Sequence, residues 1–122
     1  MILLDTNALL FLVTGHRRAR PLARHAGHLV LSPVTLLELT LLEEAGRGRF
    51  AVGGVARARE DDRWMLDDPP LDGLIEASRP LSWTRDPFDR LLAAHALYRG
   101  WRLATSDDHV LEHLPNSRTL PL

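Results

Sequence analysis

Four acidic residues stand at positions where a small α/β domain would bring carboxylates together. They are Asp5, Glu38, Asp89 and Asp107. Asp5 ends the apolar residues 1–4, and Glu38 lies within an apolar run, residues 34–42. A charge without a partner in such surroundings is costly, so something must compensate for it. Because Mg²⁺ and Mn²⁺ prefer oxygen ligands, we predict that a divalent cation of this kind binds here.

Each of these carboxylates also has an ordinary structural explanation. Asp5 and Asp107 could cap the helices that follow them, and Glu38 could pair with an arginine. Asp86 and Asp89 have the spacing of a capping box variant, which explains Asp86 fully but Asp89 only partly, because the box prefers Glu or Gln at its second position. Four acids together, two of them at predicted strand ends, are harder to explain in this way.

Hydroxyl and amide groups flank two of the acids. They belong to Thr6, Asn7, Thr105 and Ser106. Such groups can hold carboxylates, and water molecules around a bound cation, in place. In the third acidic segment we assign Asp89 to the cation and Asp86 to helix capping, because Asp86 precedes a proline, which suits the first position of a helix.

The elements that must position these residues are short strands alternating with helices. The predicted strands are residues 2–4, 28–31, 102–104 and 117–120. The predicted helices are residues 8–13 (capped by Asn7), 33–45, 71–78, 87–98 and 108–114, with weaker helical patterns at 18–26 and 55–65. This alternation predicts an α/β fold with a parallel sheet. Since ligands of such sheets bind beyond the carboxyl ends of the strands, Asp5 and Asp107 are expected to share one site.

The composition fits one globular domain that spans residues 1–122. The net charge of −1 does not indicate a strongly basic nucleic-acid binder, and all 15 basic residues are arginine. The absence of cysteine excludes a disulfide scaffold, a thiolate zinc site and a cysteine nucleophile. No signal-peptide pattern or membrane-spanning apolar run is visible, so we expect a cytoplasmic protein without a membrane partner.

Four segments, taken in order, carry a family resemblance. They are LLDTN at 3–7, SPVTLLEL at 32–39, DPFDRLLAA at 86–94 and LATSD at 103–107. Each segment is weak alone, but the ordered set covers nearly the whole chain. It resembles PIN-domain proteins, and most closely the VapC-type toxins of bacterial toxin–antitoxin pairs.

The resemblance implies a single PIN-like domain whose short parallel sheet of about five strands is flanked by helices. It implies an endoribonuclease that depends on Mg²⁺ or Mn²⁺ and hydrolyses RNA phosphodiester bonds with a water activated by the ion. The catalytic and metal-binding positions it implies are Asp5, Glu38, Asp89 and Asp107. Thr6, Asn7 and Thr105 match polar positions beside them, and His95 stands where many relatives carry Gln.

The resemblance also implies three partners: an RNA substrate, a small antitoxin protein and a second copy of the chain. We expect apolar faces at residues 9–12, and around Leu39 and Leu42, to form the protein interfaces. The candidates for steering RNA are Arg17, Arg18, Arg85 and Arg90, although surface solubility explains each at least as well. Two alternatives stay open: a catalytically weak PIN-fold module that binds RNA or a partner, and an RNA-processing nuclease without an antitoxin.

Overall fold

A five-stranded parallel sheet lies at the centre of the computed structural model, which describes residues 1–46 and 54–122. The strands are β1 (Ile2–Leu4), β2 (Leu29–Leu31), β3 (Met65–Leu66), β4 (Arg102–Thr105) and β5 (Thr119–Pro121). Their order in the sheet is β3-β2-β1-β4-β5, and every pairing is parallel. The predicted α/β fold is confirmed, and the residues that follow β1 and β4 lie next to each other at one edge.

Helices cover both faces of the sheet. They are α1 (Thr6–Thr14), α2 (Pro33–Glu44), α3 (Gly54–Glu60), α4 (Leu71–Ser78), α5 (Pro87–Arg99) and α6 (Asp108–His113), with 3-10 turns at Arg17–His25 and Asn116–Arg118. Successive side chains of a strand point to opposite faces, so Leu4 of β1 joins one apolar cluster with Leu9 and Leu39, while Leu3 joins the other with Leu92. Within the described ranges, no helix is long and apolar enough to cross a bilayer.

Three local predictions are corrected. The cap of α1 is Asp5 and not Asn7, because Asp5 has the extended backbone of a cap and its side chain accepts the N–H of Ala8. The helix predicted at 55–65 ends at Glu60, and Met65 instead pairs with Val30 as part of β3. The weak helical pattern at 18–26 is a 3-10 segment, with a proline inside it that removes one backbone donor.

The predicted apolar interface faces are also corrected in part. Leu9 and Leu39 are each 1% exposed and belong to the core, because α1 and α2 pack against the sheet and each other. Residues 10–12 and Leu42 are half-buried. The apolar side chains that α2 exposes are Leu37 and Leu41.

Candidate active site

Four separate elements bring the predicted carboxylates to one edge of the sheet. Asp5 directly follows β1, and Asp107 follows the neighbouring strand β4 by two residues. Glu38 lies in the middle of α2, and Asp89 lies in the first turn of α5. Each acid is close enough to others of the set for repulsion to raise a carboxyl pKa: Asp107, Glu38 and Asp5 all raise that of Asp89. The structure therefore gathers all four.

Asp5 is the most deeply buried acid of the cluster, with 9% exposure. Burial raises its pKa to about 6, and repulsion from Glu38 and Asp107 adds to the rise. Hydrogen bonds from the Thr105 hydroxyl and the Ala8 amide oppose it. The Ala8 N–H donates to Oδ1 at 2.7 Å, so Asp5 caps α1 with one oxygen. Asp5 therefore both caps α1 and belongs to the carboxylate cluster.

Asp89 combines partial burial with the largest number of acidic neighbours. Burial raises its pKa to about 6, and Asp86, Asp107, Glu38 and Asp5 each raise it further. Among the described residues, every main contribution to the shift raises the pKa of Asp89. A bound cation would offset both the burial of this carboxylate and the repulsion from its neighbours, so Asp89 is suited to bind one.

Glu38 is half-buried on α2 and is held by a neighbour of Asp5. The Thr6 hydroxyl donates a hydrogen bond to Glu38 Oε1. Burial raises the pKa of Glu38, the Thr6 bond lowers it, and the charge of Asp86 raises it. Among residues 1–46 and 54–122, no arginine lowers the pKa of Glu38 or forms an ion pair with it, so this part of the chain gives no support to the alternative of an ordinary salt bridge.

Asp86 and Asp107 both cap helices through one carboxylate oxygen. Asp86 Oδ1 accepts the N–H groups of Phe88 and Asp89 at 2.9 and 3.0 Å, which confirms its predicted capping role. Asp107 Oδ1 accepts the N–H groups of His109 and Val110 at 2.8 and 3.1 Å. Such caps fix the carboxylates at the starts of α5 and α6, where the helix dipole favours negative charge.

The predicted polar neighbours divide into two groups. Thr6 and Thr105 are buried and bonded: Thr6 holds Glu38, and the Thr105 hydroxyl accepts the N–H of Asp107 at 3.0 Å. Asn7 is exposed and Ser106 is half-buried. Sequence reasoning did not single out Thr35, whose fully buried hydroxyl has no hydrogen-bond partner among the described residues and lies three residues before Glu38.

The candidate RNA-steering arginines lie in two places. Arg85 and Arg90 line one cleft with Ser82, next to the helix that carries Asp89. Arg90 also holds the preceding loop, since its guanidinium donates to the carbonyls of Ser78, Thr84 and Arg79. Arg17 and Arg18 are exposed and follow the opposite end of α1 from Asp5. Their part in binding RNA stays a prediction.

A buried network that the sequence did not reveal connects the helices of Glu38 and Asp89. His95 of α5 is fully buried; Nδ1 contacts Ser32 Oγ at 2.9 Å, and Nε2 donates to Asp67 Oδ2 at 2.8 Å. Ser32 caps α2, and Arg99 donates two hydrogen bonds to Asp67. Burial lowers the pKa of His95, against the pull of Asp67. The network fixes the start of α2 relative to α5.

Comparison with known proteins identifies the class that this fold and cluster define. The model of the PIN domain family matches residues 2–116, so the chain belongs to that family. Ribonuclease VapC22 from Mycobacterium tuberculosis is 32% identical over 92 residues, which are 73% of this chain and 70% of that protein. Within the PIN-domain family the chain is therefore of the VapC type, as the resemblance indicated.

Solved structures of two further proteins have the same fold. VapBC2 from Rickettsia felis, bound to a DNA fragment from its promoter, matches with a TM-score of 0.69 and 18% identity, covering 100% of this chain and 99% of that one. Mycobacterium tuberculosis VapC20, a toxin that cleaves the sarcin-ricin loop, matches with a TM-score of 0.67 and 22% identity, covering 97% and 99%. At these identities the likeness concerns the fold alone.

Proposed function

We propose that this chain, as one domain of residues 1–122, is an endoribonuclease that depends on Mg²⁺ or Mn²⁺ and acts as the toxin of a VapBC-type pair. The observation that carries the proposal is the gathering of Asp5, Glu38, Asp89 and Asp107 at one sheet edge, with the pKa values of Asp5 and Asp89 raised to about 6. The 32% identity to the ribonuclease VapC22 supports the reaction class.

The donor set fits a hard divalent cation. All four groups are carboxylates, and their mutual repulsion is the electrostatic condition that a cation relieves. Among the described residues, no three of these carboxylates offer oxygens that all lie within 4.8 Å of one another. An ion bound here would therefore keep part of its water shell, as Mg²⁺ does when one or two carboxylates bind it directly. Asp5, Glu38, Asp89 and Asp107 would hold it, directly or through its water molecules.

A bound divalent cation would supply an activated water and neutralise charge on the phosphate. The protein's own groups prepare the site for it. Above pH 6 Asp5 and Asp89 become mainly ionised and so able to bind a cation. Thr6 fixes the position of Glu38 through its hydrogen bond, and the backbone bonds to Asp107 fix that carboxylate. Without a cation, the phosphate would be repelled by these carboxylates, so we expect cleavage to depend on the ion.

The proposed partners are RNA, a small antitoxin and a second copy of the chain. The VapBC2 structure contains a toxin with its antitoxin and promoter DNA, which supports the pairing. Exposed apolar side chains available for such interfaces are Leu37 and Leu41 on α2, and Leu71 and Ile75 on α4, which are between 44% and 66% exposed. Contiguous patches of exposed apolar groups commonly mark protein contacts.

Sequencing of RNA ends after a short pulse of expression in bacteria tests this function. We expect new 5′ ends at a small number of sites with the wild-type chain and none with Asp5→Asn, which keeps the cap but loses the charge. Equal sets of ends with both chains would contradict nuclease activity at this site. That result would favour the alternative of a catalytically weak binding module.

A further inference from the structure

A second group of side chains that could bind a metal lies on α6, the helix whose start is capped by Asp107 of the carboxylate cluster. His109, Glu112 and His113 are all exposed, and one ligand atom from each lies within 4.8 Å of the others. Residues three and four positions apart share one face of a helix, which explains their proximity. Imidazole ligands suit Zn²⁺, Ni²⁺ and Cu²⁺, whereas the all-oxygen cluster suits Mg²⁺ or Mn²⁺.

Hydrogen bonds to backbone carbonyls orient both imidazoles. Nε2 of His109 donates to the carbonyl of Trp83 at 2.6 Å, and Nδ1 of His113 donates to the carbonyl of His109 at 2.8 Å. A carbonyl can only accept, so each contact requires a protonated ring nitrogen and leaves the lone pair of a neutral ring on the other one. Histidines that bind metals have this arrangement, in which a second acceptor fixes the tautomer.

Aromatic packing restrains the same two rings. The Trp83 ring stacks on His113, with centroids 5.0 Å apart and planes 5° apart, and meets His109 edge-on at 5.5 Å. Trp83 therefore limits the motion of side chains that a helix of six residues would otherwise leave free. Less conformational entropy is then lost when an ion binds.

We propose that His109, Glu112 and His113 form a transition-metal site, suited to Zn²⁺ or Ni²⁺, that is separate from the carboxylate cluster. The ion would join the start and end of α6 and secure the helix that Asp107 caps. Its closeness to Trp83 also provides a signal, because Ni²⁺ quenches the fluorescence of a nearby indole ring. The proposal rests on the geometry of α6 and does not require nuclease activity.

Titration of chelator-treated protein with Ni²⁺, in excess Mg²⁺ to fill the carboxylate cluster, tests the site. We expect saturable quenching of tryptophan fluorescence at one ion per chain. His113→Gln should weaken binding roughly tenfold or more, and Glu112→Gln should weaken it less. Two matched controls, His28→Gln at an exposed histidine outside the group and Asp5→Asn in the cluster, should bind as the wild type does.

Calorimetric titration with Zn²⁺ provides a second readout that does not depend on fluorescence. The same order of variants is expected, with circular dichroism confirming that each variant is folded. Unchanged binding in both His113→Gln and Glu112→Gln would overturn the proposal. Loss of binding in Asp5→Asn would place the ion at the carboxylates and overturn it as well. Neither result would bear on RNA cleavage, which is measured separately.

Discussion

Asp89→Asn is expected to lower the rate of RNA cleavage by roughly 10²–10³-fold or more. Losses of this size follow when an enzyme loses a group that stabilises charge in the transition state. Asp89 faces four other acids, and its pKa is raised to about 6 by burial and by their charges. Removing its charge deprives the cation of a ligand and relieves repulsion, so activity should fall without loss of stability. Rates of cleavage of a single-stranded RNA, with melting temperatures of both proteins, measure this.

Asp86→Asn is the matched control, at the cap of the same helix and three residues before Asp89. Asp86 Oδ1 caps α5, and Asn caps a helix about as well as Asp, so we expect most of the activity to remain. If Asp86→Asn destroyed cleavage and Asp89→Asn spared it, the assignment of the two acids would be reversed. If both variants were inactive, the site would depend on five carboxylates.

Asp5→Asn is expected to stabilise the protein at pH 8 in the absence of divalent cations. The pKa of Asp5 rises from 3.8 to about 6 on folding, chiefly because of burial. Below pH 3.8 the Asp5 carboxyl is protonated in both the folded and the unfolded state and does not affect stability. Between pH 3.8 and 6 its burial lowers the free energy of unfolding increasingly, and above pH 6 this loss is constant. The difference corresponds to about 3 kcal/mol of unfolding free energy as an upper bound.

Urea denaturation of both proteins at pH 8 and at pH 4 checks this expectation. The comparison between variant and wild type is needed because His95, whose pKa burial lowers, makes the stability of both fall as the pH drops below 6.5. Added Mg²⁺ should stabilise the wild type more than Asp5→Asn and so reduce the difference at pH 8. If Asp5→Asn were more stable than the wild type by the same free energy at pH 8 and at pH 4, the proposed effect of the Asp5 charge would be contradicted.

The sequence predicted those parts of the fold that local patterns determine. The helix α2 begins at Pro33, as predicted, and Asp86 caps α5, as its residue type indicated. The strand Met65–Leu66 was missed because two residues, one of them exposed, provide no period of two. Asp5 and Asn7 both suit the cap of α1, and the choice between them depends on where β1 ends. Asn7 was therefore predicted where the structure has Asp5.

The acidic residues of the site could be predicted, but the contacts that arrange them could not. Asp5 and Asp107 follow neighbouring strands, so parallel-sheet topology alone places them at one edge. The bond from Thr6 to Glu38 and the contact of His95 with Ser32 join residues 32 and 63 positions apart. Such pairs depend on how the helices pack. Partners that are far apart in the sequence leave no local pattern, so a single sequence does not specify them.

Removal and return of the divalent cation tests most directly whether the carboxylate cluster is a metal-dependent nuclease site. The protein, purified free of any antitoxin and treated with chelator, is incubated with single-stranded RNA and then supplied with Mg²⁺ or Mn²⁺. We expect no cleavage after chelation, full recovery with either ion, and no recovery in Asp5→Asn or Glu38→Gln. Cleavage that persists in excess chelator, or that both variants retain, would contradict the account.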